Sequence, residues 1–436
     1  MPATLILGGL AFISLLLLLW QWLVTRRFPL HQRQSGPSLC PPVTLLKPLK
    51  GCDDTTAACL RSWLAQEYAG PVQVLFGVAS ADDPVCELAR ALLKEFPAAA
   101  AQVVVCGPLR GANLKVAKLA QLAAVARHEL VVVSDADVLA PPDLLANLVP
   151  ALEPPAVGLV HCFYRLASRA TLAMRWEAVV INADFWGQVL QARSLKPLDF
   201  ALGAVMATRR RQLAEIGGFE ALADCLADDY QLGHRIAARG YRIAICPVVV
   251  ECWSAPLGWQ AAWKHQLRWA RTVRVCQPGA YFFSILGNTT LWPLVFLAAC
   301  PGALSLGLAL VAWTARVLAA RAWQRRMVGG TTAGGGRVAD GPWPRANGAA
   351  EREQKADAEG RSFPCSPPRC GGRGESQAVE GMVAAGPARV GLGDGLMALV
   401  KDLLQAPIWL LAFTGNRIEW RGERLRVRRD GTMVRG

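Results

Sequence analysis

The stretch that decides the fold reads Leu-Val-Val-Val-Ser-Asp-Ala-Asp at residues 130–137, an apolar run that ends in two carboxylates one residue apart. Such a run predicts a strand buried on both faces, as in a parallel sheet. The end of that strand delivers Asp135 and Asp137 to the sheet edge where ligands bind. Their hard oxygen atoms suit Mg²⁺ or Mn²⁺, although solvated acids at a strand end give the same pattern.

Comparable runs alternate with helix-length intervals throughout residues 41–274. They lie at residues 43–46, 72–79, 103–106 and 157–163. Strands separated by helical stretches indicate βαβ units, so we expect an α/β domain whose mostly parallel sheet is covered by helices on both faces.

Two polar groups follow other strands of this sheet. Asp82 and Asp83 follow the run at residues 72–79, where an acid could bind a uracil ring or ribose and where Asp-Asp-Pro also favours a turn. Asn113 and Lys115 precede a helical run, so they could contact the ribose or phosphates of a nucleotide or act as a capping Asn and a solvated Lys.

A second acidic pair, Asp228 and Asp229, begins a predicted helix at residues 230–239. Acids at a helix N-terminus are stabilised by the helix dipole, so capping is one interpretation. The other is chemical, because one acid of such a pair could act as a base that takes the proton of a hydroxyl.

The last motif lies on a predicted amphipathic helix at residues 259–271. His265 falls on the same helix face as Arg268 and Trp269, three and four residues later. Arg268 could neutralise a diphosphate and Trp269 could pack on an acceptor, although a Trp at this spacing is also typical of a core or interface anchor.

The composition favours a membrane over nucleic acid as the partner of the basic charge. Hydrophobic residues make up 53% of the 436 residues, 15 are Trp, and the net charge is +14. Basic charge beside apolar helices is typical of contact with anionic lipid headgroups. The 13 cysteines, an odd number without paired CxxC blocks, are interpreted as reduced thiols.

Apolar segments at both ends predict membrane helices. Residues 1–27 form an anchor, and Arg26 and Arg27 place the domain after it in the cytoplasm by the positive-inside rule. Residues 281–320 are predicted to form a transmembrane hairpin that is followed by further arginines.

The C-terminal part of the chain divides into two further regions. Residues 329–391, rich in Gly, Ala, Arg and Pro, are predicted to be a disordered insertion. Residues 396–436 are predicted to form an interfacial or re-entrant helix and a basic tail, because a crossing would put the tail on the outer side.

One helix within the predicted α/β domain, at residues 171–193, carries an apolar stripe that includes Trp176 and Trp186. A helix in the membrane interface has this pattern, and two Trp on one stripe favour that interpretation. A helix packed in the core would show the same period.

In their order and spacing these motifs resemble the GT-A type, family-2-like inverting glycosyltransferases, and more closely the ceramide glucosyltransferase group. The resemblance spans about residues 41–292. It rests on Lys47-Pro48-Leu49-Lys50-Gly51, Gln66-Glu67-Tyr68, Asp82-Asp83-Pro84, Asn113-Leu114-Lys115, Ser134-Asp135-Ala136-Asp137, Gly217-Gly218-Phe219, Asp228-Asp229-Tyr230 and Arg268-Trp269. Within the group, the chain looks most like the bacterial branch that glycosylates hopanoid lipids.

The resemblance implies a GT-A domain with membrane helices at both ends and a role for each matched residue. The metal ligands would be Asp135 and Asp137, and the base would be Asp229. The implied nucleotide-sugar site comprises Lys47, Asp82, Asp83, Asn113, Lys115 and Asp135. The implied catalytic set comprises Asp229, Asp228, Arg268, Trp269 and His265, the last in place of the Gln or Arg that usually begins the closing motif.

The sequence thus predicts a metal-dependent, inverting glycosyltransferase that moves a sugar from a UDP-sugar to a membrane lipid. The resemblance implies UDP-N-acetylglucosamine and a hopanoid, with glucose and a ceramide-like acceptor as the related pair. The enzyme would be a multi-pass protein of the inner membrane whose catalytic domain is cytoplasmic. A processive polysaccharide synthase is the alternative enzyme. A non-catalytic basic membrane-binding protein is an alternative of another class, but it would not explain why acids follow the strands.

Overall fold

The structure is a computed structural model that describes residues 2–34, 39–329, 390–420 and 423–435. The strands are β1 Val43–Pro48, β2 Val72–Val78, β3 Ala100–Val105, β4 Leu130–Ser134, β5 Val138–Leu139, β6 Val157–Leu166, β7 Val205–Arg209, β8 Arg242–Cys252, β9 Arg417–Trp420, β10 Glu423–Val427 and β11 Met433–Arg435. The predicted insertion at residues 329–391 lies outside the described residues except at its two ends.

The α-helices cover the sheet and continue into the apolar segments. They are α1 Pro2–Arg27, α2 Thr56–Leu64, α3 Val85–Glu95, α4 Leu114–Ala124, α5 Leu144–Leu152, α6 Leu172–Val179, α7 Trp186–Leu195, α8 Arg210–Glu215, α9 Asp228–Ala238, α10 Trp259–Cys276, α11 Pro278–Phe283, α12 Leu291–Ala299, α13 Ala303–Val328 and α14 Leu392–Ala412.

Eight strands form one mixed sheet in the order β3-β2-β1-β4-β7-β6-β8-β5. The strands β1 to β4 pair in parallel, as do β6 and β8. All six residues of β1 and the last four of β4 are buried, as expected for central strands covered by helices on both faces. The predicted α/β fold, with a mostly parallel sheet and apolar helices towards both ends of the chain, is confirmed.

The strand β7 departs from the parallel pattern in a way that shapes the sheet edge. It pairs antiparallel with both β4 and β6, and its first residue, Val205, lies opposite Ser134 at the end of β4. The segment just before β7 therefore enters the sheet beside the two strand-end acids. The amide of Asp135 donates a hydrogen bond to the carbonyl of Ala204 in that segment, at 3.3 Å.

Three described helices are long and apolar enough to cross a membrane, namely residues 4–27 of α1, together with α13 and α14. The first arm of the predicted hairpin is not one straight helix, because α11 with its following turn meets α12 at an angle of 55°. Asn288 caps this break, since its Oδ1 accepts hydrogen bonds from the amides of Thr290 and Leu291 at 3.3 and 2.9 Å.

The helix predicted at residues 171–193 is a core helix, so the interpretation of its stripe as an interfacial face is wrong. Trp176 and Trp186 are 0% and 1% exposed. Trp186 packs edge-on against Phe163 of β6, at 6.0 Å between ring centroids. On the other side α1 crosses the helix at Gly187, where an added Cβ would lie 2.5 Å from Gln21 Nε2. The apolar period arose because the stripe is enclosed by protein along its length: Trp186 packs against the sheet, whereas Trp176 packs with residues of α10 and α14.

A buried network of charges fastens α13 and α14 to the catalytic domain. Arg316 of α13 bonds Asp184 at 2.8 Å and Asp402 of α14 at 2.8 Å. Lys401 of α14 also pairs with both acids. Asp184 lies in a π-helical turn between α6 and α7, at Val180–Phe185. The charges that interrupt the apolar segment at residues 396–413 are thus paired inside the protein, where unpaired charges would be costly.

The predicted basic tail forms a small antiparallel sheet, ordered β11-β10-β9, that docks on the catalytic domain. Its apolar residues Leu425 and Val427 pack with Leu226, just before α9. The amide of Met433 donates a hydrogen bond to the carbonyl of Asp224 at 2.7 Å. The tail therefore covers the segment that leads into the acidic pair of α9.

Candidate active site

A chain of ion pairs joins three elements at the carboxyl edge of the sheet. Lys115, in the first turn of α4, places its Nζ 2.8 Å from Asp135 Oδ1 and 3.0 Å from Asp228 Oδ2. Burial alone would lower the pKa of Lys115, but the two carboxylates outweigh burial and hold that pKa above its usual value. The lysine therefore stays charged and ties the end of β4 to the start of α9.

Asn113 also connects the start of α4 to the start of α9. It is the N-cap of α4, and its Oδ1 accepts hydrogen bonds from the amides of Lys115 and Val116. Its Nδ2 donates to the carbonyl of Cys225 at 2.9 Å and to Asp228 Oδ1 at 3.3 Å. Asn113 is fully buried and acts as a helix cap, which is one of its two predicted roles. Its direct contact with a nucleotide stays a prediction.

The two acids of α9 have different surroundings. Both carboxylate oxygens of Asp228 are engaged, one by Asn113 and the other by Lys115. In Asp229, Oδ1 accepts a hydrogen bond from the amide of Tyr230 at 2.8 Å. Burial and the neighbouring Asp228 raise the pKa of Asp229 to about 6, against the opposing effect of Lys115. Of the pair, Asp229 is better suited to accept a proton near neutral pH.

Asp137 lies in the recess between the sheet and the covering helices. Part of its side chain is exposed to solvent, and the rest is surrounded by protein atoms. Desolvation by this surrounding protein and the carboxylate of Asp135 raise the pKa of Asp137 to about 6. Two carboxylates in such surroundings gain from a cation between or beside them.

Lys47 lies under the loop that carries these acids. It is 0% exposed, and its Nζ donates hydrogen bonds to the carbonyl of Asp135 at 2.7 Å and to Ser134 Oγ at 3.2 Å. Its burial lowers the pKa of Lys47 to about 8. This arrangement favours support of the loop, and the predicted direct contact between Lys47 and the nucleotide stays untested.

The two acids that follow β2 also differ: one stabilises a turn and the other is exposed to solvent. Asp83 Oδ1 accepts hydrogen bonds from the amides of Gly51 and Val85, at 2.9 and 3.1 Å, and so closes the turn. Asp82 is exposed beside it. Of the two predicted nucleotide ligands, Asp82 is therefore the one with a carboxylate available to a ligand.

The closing motif lies across the recess on α10. His265 Nδ1 is 2.6 Å from Glu177 Oε1, and the His265 ring meets Trp269 edge-on at 4.7 Å between centroids. Trp269 also lies 6.3 Å from the ring of Phe185. Arg268, between them in sequence, is half-buried. The contact between His265 and Trp269 confirms that they share one helix face.

Three residues at this site were missed by the sequence analysis. Tyr164 is in β6, and burial, Cys252 and the site's carboxylates hold its pKa well above the usual value. Glu177 faces His265 from α6, and Gly203 lies against Asp229 just before β7. Each stands in an apolar or featureless stretch, and only the order of the strands brings it to the acids.

We expect Gly203→Ala to lower the transfer rate by about tenfold or more without a large change in melting temperature. An added Cβ would lie 2.8 Å from Asp229 Oδ2, so the carboxylate would have to move. A displacement of about 1 Å at a reacting group can cost 10²-fold in rate.

The control for this substitution is Gly279→Ala, where an added Cβ meets no atom within 4 Å. Transfer rates and thermal unfolding curves of both variants would be compared with the unaltered protein. A Gly203→Ala enzyme with an unchanged rate would contradict the assignment of Asp229 as a group that must be held in place.

Known proteins similar to this chain include one family and several curated relatives. The model of glycosyl transferase family 21 matches residues 6–339 and 377–433. Ceramide glucosyltransferase 3 of Caenorhabditis elegans is 24% identical over 220 residues, which are 50% of this chain and 48% of that protein. Ceramide glucosyltransferase of Candida albicans is 30% identical over 121 residues, 25% of this chain and 22% of that protein. The chain thus spans half or less of the length of these relatives.

Among solved structures, the chain is similar to the mannosyltransferase PcManGT of Pyrobaculum calidifontis, determined with GDP-Man and Mn²⁺. The sequence identity is 22% and the TM-score is 0.46, with 93% of this chain and 99% of that chain covered.

Proposed function

From the premise that this chain belongs to glycosyl transferase family 21, we propose that it transfers a sugar from a UDP-sugar to a hydroxyl of a membrane lipid. Membership in the family makes the chain a glycosyltransferase; the donor, acceptor and mechanism are the proposal. The observation that carries it is the pairing of Asp228 with Asn113 and Lys115, which leaves Asp229 as the acid suited to act as base at the sheet edge.

The reaction is a single displacement with inversion at the anomeric carbon. Asp229 accepts the proton of the acceptor hydroxyl as the oxygen attacks that carbon. Lys115 forms ion pairs with both Asp135 and Asp228, so neither of these two carboxylates acts as the base. Arg268 of the closing motif contributes positive charge to the departing diphosphate, and Asp82 binds the nucleoside.

The side chains at the sheet edge fit a divalent cation that is completed by the substrate. In the described ranges no three His, Cys, Asp or Glu side chains are grouped to hold a metal. The carboxylates that follow β4, those of Asp135 and Asp137, are the ligands that we propose. Mg²⁺ and similar ions commonly take one or two carboxylates and complete their shell with phosphate oxygens and water. When bound, such an ion neutralises charge on the leaving diphosphate.

The substrate assignment rests on the similarity to ceramide glucosyltransferases and on the motifs. The donor is UDP-glucose or UDP-N-acetylglucosamine, and the acceptor is a ceramide-like lipid or a hopanoid. A polysaccharide synthase remains the second candidate. It would need a channel for the polymer, and the described helices offer three spans, or four if the bent pair is counted as one span.

The position of the basic helix ends supports a catalytic domain on the cytoplasmic face of the inner membrane. Trp323 Nε1 of α13 donates a hydrogen bond to Thr25 Oγ1 of α1 at 2.9 Å, and Arg326 donates to the carbonyl of Phe28 at 2.9 Å. The arginine-rich ends of both helices therefore lie together on one side. By the positive-inside rule that side is the cytoplasm.

Contacts at both ends of α14 support an interfacial or re-entrant placement. Asp394, near its start, pairs with Arg175 of the catalytic domain at 3.4 Å. Phe413, just after its end, lies under Arg274 of α10 at 5.8 Å. A helix that crossed a hydrocarbon core of about 30 Å would have its ends on opposite sides.

The test is transfer of label from radioactive UDP-glucose or UDP-N-acetylglucosamine in membranes that contain the protein. We expect label in a product that extracts into organic solvent, and at least about 10²-fold less of it with the Asp229→Asn protein. Label in an insoluble polymer would favour the polysaccharide synthase, and no transfer from either donor would contradict the proposed function.

A further inference from the structure

The outer face of the small C-terminal sheet carries a concentration of positive charge. Along β9 and β10 the apolar residues are buried against the catalytic domain, and the residues that alternate with them are exposed. Two further arginines are exposed directly after β10. We define the basic face by its five exposed arginines, Arg417, Arg424, Arg426, Arg428 and Arg429.

The register of the sheet places two of these arginines directly opposite each other. Arg426 of β10 pairs with Arg417 of β9, whereas Arg424 pairs with Glu419. Glu419 is in turn bonded to Lys264 of α10 at 2.9 Å, so two cations share its charge. Like charges that lie opposite each other on a sheet destabilise it. An anion bound at Arg417 and Arg426 would remove this repulsion.

An exposed aromatic cluster lies close to the basic face. The ring of Phe282 in α11 is 6.2 Å from that of Trp409 and 6.3 Å from that of Phe413, between centroids. Phe282, Phe283 and Phe413 are 53%, 62% and 40% exposed. The strand β9 begins four residues after Phe413, and four extended residues span at most about 14 Å. Exposed aromatic rings beside arginines are typical of a surface at the depth of lipid headgroups.

The inner face of the same sheet holds the segment that leads to the acids of α9. The amide of Leu226 donates a hydrogen bond to the carbonyl of Gly431 at 3.1 Å. On its other side this segment contacts the N-cap of α4, where the amide of Asn113 donates to the carbonyl of Ala223 at 2.7 Å. Residues 223–226 therefore lie between the C-terminal sheet and the start of α4. Any change in the docking of the sheet would reach the start of α9 through them.

We propose that the basic face binds the headgroups of anionic lipids and that this contact keeps the C-terminal sheet docked on residues 223–226. Charge complementarity selects this partner, because clusters of arginine next to membrane helices attract anionic lipids. A membrane is favoured over nucleic acid because the basic face is close to the exposed aromatic cluster and follows α14 directly. Anionic lipid thus raises the transfer rate by ordering the start of α9, whichever sugar and acceptor the enzyme uses.

The experiment compares the full-length protein in nanodiscs of phosphatidylcholine with the protein in nanodiscs that also contain phosphatidylglycerol. Donor and acceptor are supplied equally to both. We expect phosphatidylglycerol to raise kcat about fivefold and to slow amide hydrogen exchange in β10 and in residues 223–227. Both effects should disappear at about 1 M salt, where charges are screened within about 3 Å.

Substitutions on the basic face test whether it is the site of this effect. The triple variant should lose the response of kcat and of hydrogen exchange to phosphatidylglycerol, with kcat in phosphatidylcholine unchanged. Its substitutions are Arg417→Gln, Arg424→Gln and Arg426→Gln. The double variant Arg417→Lys, Arg426→Lys keeps the charge and should keep the response, which a purely structural role of the guanidinium groups would not allow.

The matched control removes three exposed arginines elsewhere, after the end of β7 and at the start of β8. Its substitutions are Arg211→Gln, Arg239→Gln and Arg242→Gln. Because the net charge changes equally, this variant separates the basic face from a general effect of charge. It should respond to phosphatidylglycerol as the unaltered protein does.

Several results would overturn the proposal. They are an unaltered protein that does not respond to phosphatidylglycerol, an equal response in the triple glutamine variant, and an equal loss in the control variant. Slowed exchange on addition of RNA or inorganic phosphate to phosphatidylcholine nanodiscs, without an effect of phosphatidylglycerol, would assign the face to another anion. Because hydrogen exchange needs no turnover, a normal exchange response without sugar transfer would contradict the proposed function and support the lipid contact.

Discussion

The Asp229→Asn protein is expected to bind the UDP-sugar as before and to lose transfer by about 10²-fold or more, the usual scale for removal of a general base. Asparagine keeps the shape of the side chain, and its Oδ1 can still accept the hydrogen bond from Tyr230, so the fold of α9 should not change. The ability to take a proton is lost.

The dependence of this rate on pH follows from the surroundings of Asp229. Burial and Asp228 raise its pKa to about 6. A base acts only when deprotonated, so kcat should fall as the pH is lowered through about 6 and level off above about 7. The measurement is kcat against pH for the unaltered enzyme, with donor binding followed separately.

Asp228→Asn is the matched comparison for the base. Asp228 pairs with Lys115 and Asn113, so its loss should disturb the site around Asp135 and weaken donor binding as well as the rate. If Asp228→Asn lowers kcat more than Asp229→Asn while the KM for the donor stays unchanged, then Asp228 is the base.

Removal of divalent metal is expected to abolish transfer, and addition of Mg²⁺ or Mn²⁺ should restore it. Loss of the cation leaves the negative charge of the leaving diphosphate facing Asp135 and Asp137, which makes its departure unfavourable. In Asp137→Asn one ligand is weakened, so more metal should be needed for half-maximal rate. Binding of Mn²⁺ in the presence of UDP, followed by electron paramagnetic resonance, gives a second readout that does not depend on turnover.

A suitable control for the metal experiment is Glu153→Gln, a change at an exposed acid that follows α5 and belongs to neither acidic motif. It should leave the metal requirement unchanged. Full activity in excess chelator would contradict the assignment of Asp135 and Asp137 as metal ligands, while the base assigned to Asp229 would stand.

The position of the site relative to the membrane helices bears on how a lipid reaches Asp229. The stripe that includes Trp176 and Trp186 is enclosed in the protein and therefore does not provide an interfacial surface. The outer faces of α1, α13 and α14 carry the exposed apolar side chains, among them Phe12, Leu310 and Leu410. These helices, of which α13 and α14 are fastened to the catalytic domain through Arg316, are the surfaces that a lipid bilayer would contact.

The sequence by itself determined five of the eleven described strands, namely β1, β2, β3, β4 and β6, and the acids that follow β2 and β4. The apolar run at residues 130–134 has the length and composition of a buried strand, and Asp135 follows it directly, so both could be inferred locally. The apolar helix α1, Pro2–Arg27, could be predicted equally well, because its apolar run has the length needed to cross a bilayer. Sequence position also indicated Asp229 as a candidate base, without separating it from Asp228 on physical grounds.

Only the tertiary structure decided which of several similar residues is available for chemistry. Asp228 and Asp83 are engaged by Asn113 and Gly51, which lie 115 and 32 residues away in the chain, and no local pattern records such partners. The burial of Trp176 was also decided at this level, because a helix shows the same apolar period whether its stripe faces a sheet or a lipid. Side-chain periodicity reports that a face is shielded from water, whereas the packing of α10 and α14 against Trp176 decides what shields it.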